Sequence, residues 1–170
     1  MELNVQRFLD FLNTWYISNT LRQETELLTS DSELAAFMKK HFHIEKAEPL
    51  EEVIKFRNDT RELIQSRTFT KLNQVFSEKI TFEIKDENHK YTLEPRAVSE
   101  SFIGNLTVIL VKLAQDQQLH RLKMCPDCQY VFFDSSRSGT KKWCSMTKQS
   151  KSGRACGTIS KVRTYREKTN

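Results

Sequence analysis

The sequence predicts a mainly α, α+β protein: a helical N-terminal body carrying one β-hairpin, then a small C-terminal module organised by four cysteines. Three observations carry this. Apolar residues recur at helical spacing through much of the first 117 residues. Two stretches between residues 80 and 93 switch to strict alternation. All four cysteines, Cys125, Cys128, Cys144 and Cys156, crowd into the last quarter of the 170-residue chain, a length that suits one ordinary core plus an appended unit.

Taken in order, Val5, Phe8, Leu9, Leu12 and Tyr16 recur at helical spacing, and Phe11 and Trp15 widen the stripe into a largely buried face. Residues 30–33, Ser-Asp-Ser-Glu, read as a capping box: Ser30 caps the amides and Glu33 reaches back. Leu34, Phe37 and Met38 supply the stripe that follows. Pro49 suits the first turn of a third helix, where its missing N–H costs nothing. Leu50, Val53, Ile54, Arg57, Arg61 and Ile64 carry that helix to about Ser66, and a shorter helix is expected over 70–76. Residues 80–84 and 91–93 alternate as half-buried strands do, with a polar turn over 85–89. A long helix is expected from 97 to about 117, with Val98, Phe102, Ile103, Leu106, Ile109, Leu110 and Leu113 facing inward. The boundary between body and module is expected near His120, giving domains 1–120 and 121–170 with no notable linker, so that the module docks on the body.

The cysteine spacing is C-x2-C-x15-C-x11-C. A tight knuckle at Cys125–Cys128 presents two sulfurs to one tetrahedral ion, and the second pair closes the shell. Two plainer readings compete. A disulfide framework suits a small secreted domain, but residues 1–6 do not resemble the start of a signal peptide. A redox C-x-x-C would be expected near a βαβ pattern and needs neither Cys144 nor Cys156. One structural Zn²⁺ on four thiolates is the preferred reading. No apolar run approaches the ~18 residues of a membrane span, so a cytoplasmic protein with no membrane partner is expected.

Charge is unevenly placed. The chain is +5 overall, yet residues 137–170 hold ten Lys or Arg against one acidic residue, Glu167. Four thiolates on Zn²⁺ add a formal −2, and the tail stays positive. A cluster of that sign in a zinc module is a footprint for phosphate; the plainer reading is a solvated, solubilising tail. Lys141, Lys142, Lys148, Lys151, Arg154, Lys161, Arg163 and Arg166 are the candidate phosphate contacts. Within the module, residues 129–133 have strand character, Thr158 is an expected N-cap, and Ile159, Val162 and Tyr165 or Arg166 lie along one helical face. Trp143 reads as a lid on the metal site and Asp134 as a turn-ordering residue paired with a nearby cation. His41, His43 and Glu45 read as ordinary surface or helix-end groups rather than a second metal site, and His120 is not needed as a ligand.

Residues 9–15 (LDFLNTW) and 125–146 (CPDCQYVFFDSSRSGTKKWCSM) resemble the CGNR zinc-finger proteins, which pair an N-terminal ABATE domain with a C-terminal zinc finger. That family is regarded as bacterial regulators of transcription in stress responses. The likeness extends over nearly the whole chain and is specific at Phe133, Asp134, Ser136, Trp143, Ser145, Met146, Gly157, Lys161, Tyr165 and Arg166 as well as the cysteines. It implies a treble-clef-like finger with one zinc on the four cysteines, and contact with double-stranded DNA. The family's C-G-N-R reads here as Cys156-Gly157-Thr158-Ile159, and eleven residues separate Cys144 from Cys156 where the family has few. The expected function is therefore a DNA-binding, zinc-finger transcription regulator and not an enzyme, since no nucleophile, base and orienting group come together. The alternatives are an RNA-binding or ribosome-associated zinc protein and a protein-interaction adaptor. The Asn13–Thr14 pair is read as structural, although the sequence leaves room for a small-molecule ligand in the N-terminal domain. Oligomeric state is not legible.

Overall fold

In the computed structural model, which describes residues 2–18, 22–44, 48–99, 101–146 and 155–169, the first helical stripe becomes α1 (Glu2–Leu12). Val5, Phe8, Leu9, Phe11 and Leu12 are all buried. The helix ends where two side chains fold back on its last carbonyls: Asn13 Nδ2 donates to the Leu9 carbonyl at 2.9 Å and Thr14 Oγ1 to that of Phe11 at 2.8 Å. Both carbonyls also accept a backbone amide, from Asn13 at 3.0 Å and Thr14 at 3.1 Å, so each side chain adds a second bond where the helix ends. Two three-residue strands follow, β1 (Trp15–Ile17) and β2 (Glu24–Glu26), paired antiparallel with Trp15 opposite Glu26. The expectation of a single hairpin in the body is thereby corrected. Strands this short show too few alternations to register as a pattern.

The capping box forms with a shift. In α2 (Asp31–His41), Ser30 Oγ accepts from the Glu33 amide at 3.3 Å. The Glu33 carboxylate takes the amide and hydroxyl of Thr29, at 2.7 and 2.5 Å, one residue earlier than the standard motif. α3 (Leu50–Ser66) starts just after Pro49, which caps the helix from outside instead of occupying its first turn. Beside Val53, Phe56, Leu63 and Ile64 it buries Arg57, Thr60 and Arg61. A short 3₁₀ turn at Phe69–Lys71 leads into α4 (Leu72–Lys79).

β3 (Ile80–Glu87) and β4 (Lys90–Ala97) are longer than the alternation suggested, with Ile84 opposite Leu93. The turn narrows to Asn88 and His89, both left-handed at φ 55° and 62°. A two-residue turn of this hand matches the twist of the strands, and the Asp86 carboxylate accepts the His89 amide at 2.8 Å. The half-buried expectation fails along most of the ribbon. Ile80 and Pro95 are buried at its base, whereas Phe82, Ile84, Tyr91 and Leu93 are 49 to 70% exposed.

α5 (Phe102–Gln115) is shorter than the helix expected over 97–117. Ser101 Oγ accepts the Gly104 amide at 3.0 Å, and the Glu48 carboxylate accepts the Phe102 and Ile103 amides at 3.1 and 3.3 Å. An anionic acceptor at a helix N-terminus is favoured by both the free amides and the dipole. Val98, expected inward, precedes this cap and is exposed. Phe102, Leu106 and Leu110 are fully buried, Phe102 meeting Phe11 edge-on with centroids 5.3 Å apart. Each such side chain contributes roughly 1.5–3 kcal/mol of burial.

The C-terminal module consists of β5 (Leu122–Met124), β6 (Val131–Phe133) and α6 (Cys156–Thr169). Leu122 and Val131 belong to the same apolar cluster as Phe8, Phe11 and Leu106, so the hairpin roots in the body's core. Polar contacts reinforce this. Asn13 receives the Val131 amide and donates to the Val131 carbonyl, both at 2.8 Å. Arg61 donates to the Leu12 and Gln129 carbonyls at 2.7 and 2.8 Å, and Arg67 to those of Leu122 and His120 at 2.6 and 2.7 Å. The module is docked on the body, as expected. Among the described residues no helix is long and apolar enough to cross a membrane.

Candidate metal centre

β5 and β6 are joined by the segment 125–130, which turns so tightly that the Gln129 amide donates to the Cys125 carbonyl at 2.8 Å and the Cys125 amide to that of Tyr130 at 2.9 Å. Gln129 takes a left-handed φ of 56° to close this turn. The knuckle places Cys125 and Cys128 side by side. Cys144 follows the loop after β6, and Cys156 is the first residue of α6. All four sulfurs lie within 4.8 Å of one another, with Cys128–Cys144 at 3.6 Å and Cys144–Cys156 at 3.8 Å.

The distances discriminate between the chemistries. A disulfide needs about 2.05 Å. Four sulfurs at Zn–S distances of about 2.3 Å define a tetrahedron with edges of about 3.8 Å. The cysteines are free, and three are fully buried. Without a cation such a cluster cannot fully ionise. Cys125 is drawn toward thiolate by hydrogen bonds from Cys128 and Cys144. Hydrogen bonds with Cys125 and Cys144 push the Cys128 thiol up, and Cys156 is pushed up by burial first. A divalent cation removes this conflict by pairing with all four thiolates. The four cysteines thus form the site of one structural zinc, with a full ligand shell. Two ligands on a hairpin knuckle and a fourth at a helix start give the treble-clef-like layout.

Around the metal site, Phe132, Tyr130 and Trp143 pack against the cysteines, and Trp143 is the expected lid. Asp134 is completely buried and acts as the hub of the loop that delivers Cys144. It accepts from Lys123 Nζ at 2.7 Å, from the Ser136 amide and hydroxyl at 3.0 and 2.5 Å, and from the Lys141 amide at 2.8 Å. Burial alone would raise its pKa, but these donors outweigh burial and hold the carboxyl well below the usual carboxylate range. Lys123 also donates to the Gly139 and Lys141 carbonyls at 2.5 and 3.0 Å. The sequence pointed to a neighbouring cation for Asp134 without identifying Lys123. That choice depends on the β5–β6 register, which sets Lys123 opposite Phe132.

At the start of α6 the chain after Cys144 crosses closely. A Cβ on Gly157 would lie 2.1 Å from Met146 Sδ and 3.4 Å from the Ser145 carbonyl, and the Gly157 amide donates to that carbonyl at 2.9 Å. Thr158 does not cap the helix as expected. The helix already begins at Cys156, and the Thr158 hydroxyl donates to the Met146 carbonyl at 2.8 Å.

Of the candidate phosphate contacts, Lys141 and Lys142 are exposed on the loop before Cys144, and Lys161, Arg163 and Arg166 are exposed on α6. Lys148, Lys151 and Arg154 lie outside the described residues. The face of α6 that carries Ile159, Val162 and Tyr165 is largely uncovered: Ile159 is half-buried, but Val162 and Tyr165 are 44 and 71% exposed. At 100° per residue, Arg163 and Arg166 share a side with Ile159 and Val162, while Lys161 and Lys168 take the opposite side. Elsewhere, His41 Nδ1 lies 3.8 Å from an Asp10 oxygen, and no metal-binding cluster besides the four cysteines occurs among the described residues. Glu45 lies outside them.

Residues 121–169 match the family described as CGNR zinc finger. The match covers the finger and α6. A search of curated proteins returned no match. The C-terminal part of the chain is similar to zinc fingers of that kind, and its cysteine cluster has the geometry their zinc requires.

Proposed function

We propose that the protein binds double-stranded DNA through the finger and regulates transcription, with zinc in a purely structural role and the 1–120 segment acting as an ABATE-like domain. The observation that supports this most is α6. It is anchored at its first residue by a zinc ligand, and every side chain from Lys161 to Thr169 is exposed. Four of these, Lys161, Arg163, Arg166 and Lys168, are cationic, and no ion pair involving them occurs among the described residues. A helix with cations on both sides suits a groove flanked by phosphates. Lys141 and Lys142 extend the positive surface to the loop before Cys144. Tyr165, the most exposed large apolar side chain of α6, favours a second reading, in which an unpaired base of single-stranded RNA stacks on it.

The test is selection of a random duplex library on the zinc-loaded chain, with sequencing of what is retained. An enriched motif is expected. Affinity for that motif should fall by about 0.9 log unit per phosphate contact for each log unit of salt. A chain ending at Ser160 keeps all four cysteines, so it should retain zinc and lose DNA. DNA binding that persists in this variant would refute the helix assignment. Retention without enrichment would refute specific DNA reading and favour RNA.

A further inference from the structure

A cavity of about 580 Å³ opens where the finger meets the body, a size suited to a small molecule. Its wall combines Asp10 of α1, Tyr16 of β1, Phe37 and His41 of α2, and Cys128 and Tyr130 of the zinc knuckle. Three aromatic side chains therefore share the space with one carboxylate. Asn13 and Thr14 also reach it, but their polar ends are committed to Val131, Phe11 and Arg57. Asp10 is less committed. One oxygen accepts from Gln6 at 2.7 Å, while the other has His41 Nδ1 at 3.8 Å, beyond hydrogen-bond distance.

His41 lies against Phe37, with ring centroids 4.5 Å apart. Burial holds its imidazole below the ordinary range, against the pull of Asp10, and Lys40 and Arg7 add to the lowering. At 3.8 Å it makes no hydrogen bond to Asp10, whose second oxygen stays open toward the cavity as an acceptor. Lys40, the other charged residue of the lining, is exposed. Aromatic faces carry negative potential and attract cations, more strongly where water is excluded. An anion would meet Asp10, and a neutral guest would desolvate that carboxylate without pairing it.

We propose that this cavity binds a small organic cation, an amine or quaternary ammonium with apolar substituents, whose charge sits between Asp10 and the aromatic walls. Because Cys128 and Tyr130 form part of the wall, the guest touches the metal module as well as the body. Binding and zinc retention are then linked, each favouring the other by the same factor. This holds whatever the finger itself binds.

The test is isothermal titration calorimetry of the full zinc-loaded chain with benzyltrimethylammonium, benzyl alcohol and benzoate. The cation should bind with 1:1 stoichiometry and at least about tenfold more tightly than the other two. Asp10→Asn should weaken it about tenfold while leaving the weak binding of benzyl alcohol in place; Tyr16→Leu, which spares Asp10, should also weaken the cation selectively. Thermal melts of both variants report whether the fold is retained. Saturating cation should slow zinc removal by a chelator in the parent chain and not in Asp10→Asn. Absence of saturable cation binding, equal binding of benzoate, or undiminished binding in both variants overturns the proposal.

Discussion

Single residues here carry charge into places where water cannot compensate it. Asp134 and Arg57 are the two clearest cases: the first is fully buried, and the second is 1% exposed and bonded in bidentate fashion to Glu26 with both contacts at 2.6 Å. Removing one member of a buried pair leaves the other unpaired, which costs more than the pair itself contributes. Asp134→Asn should therefore destabilise the zinc-loaded protein by roughly 2–3 kcal/mol in urea unfolding, less than a fully buried pair because Lys123 keeps some exposure. For Glu26, burial raises the carboxyl and the Arg57 bonds lower it, with a net lowering. A lowered folded-state pKa means that the unfolded chain binds the proton more readily. Its stabilisation is full above the ordinary value near 4.5 and is lost as pH falls through the lowered one. The difference in urea midpoint between the parent and Glu26→Gln should hold steady from pH 7 to about 5 and narrow progressively as pH falls below about 4.5. Loss of zinc in acid affects both proteins and cancels in that difference.

Among the elements, the β3–β4 ribbon and α6 share a property: each is held at one end and projects its remainder into solvent. At the ribbon's outer end, Ile84 and Tyr91 are 70 and 68% exposed, so they contribute little burial and much unpaired apolar surface. The double variant Ile84→Thr, Leu93→Thr places β-branched residues at both strand positions. It should leave the melting temperature within about 2 °C, since surface changes away from special contacts stay within about 0.5 kcal/mol. It should reduce association at high protein concentration, read by light scattering. A large fall in melting temperature would show that these side chains pack more deeply than their exposure indicates. For α6 the relevant force is the metal. Its first residue is a ligand, and beyond Ser160 the described side chains are all exposed, so zinc anchors a helix that tertiary packing barely supports.

At the scale of the whole molecule, body and finger share one core. Leu122 and Val131 are both fully buried in the cluster that holds Phe8 and Leu106, and Asn13 closes the seam by bonding both backbone groups of Val131. Zinc binding is then part of folding for more than the finger. Chelation should lower the melting temperature reported by the helical signal of the body, not only melt α6. Asn13→Ala leaves the Val131 amide and carbonyl without their partner, at a cost of about 1–3 kcal/mol. In that variant the body should retain more of its structure than the finger during hydrogen exchange, whereas in the parent the two should exchange together. Independent melting of the two parts in the parent chain would contradict the shared core.

The metal site was the most legible feature, because a ligand set leaves its mark in spacing: C-x2-C, then two further cysteines, in a chain otherwise free of the residue. Helices α1, α3 and α5 were legible as apolar periods, and the turn role of Asp134 followed from local chemistry. What local pattern does not encode is which side of a segment finds a partner. Alternation at Phe82, Ile84, Tyr91 and Leu93 is the same whether a sheet is covered or stands clear, and the same holds for Val162 and Tyr165 on α6. The short β1–β2 hairpin, the reach of Glu48 to α5 across 54 residues of sequence and the Arg61, Arg67 and Asn13 bonds that seat the finger all depend on contacts distant in the chain. So does the cavity lined by α1, α2 and the knuckle. Ligand identity and helical period are local properties of covalent order, readable from the sequence itself. Docking, exposure and the shape of a shared cavity are set by which surfaces the packed core brings together, and only the tertiary structure decided them.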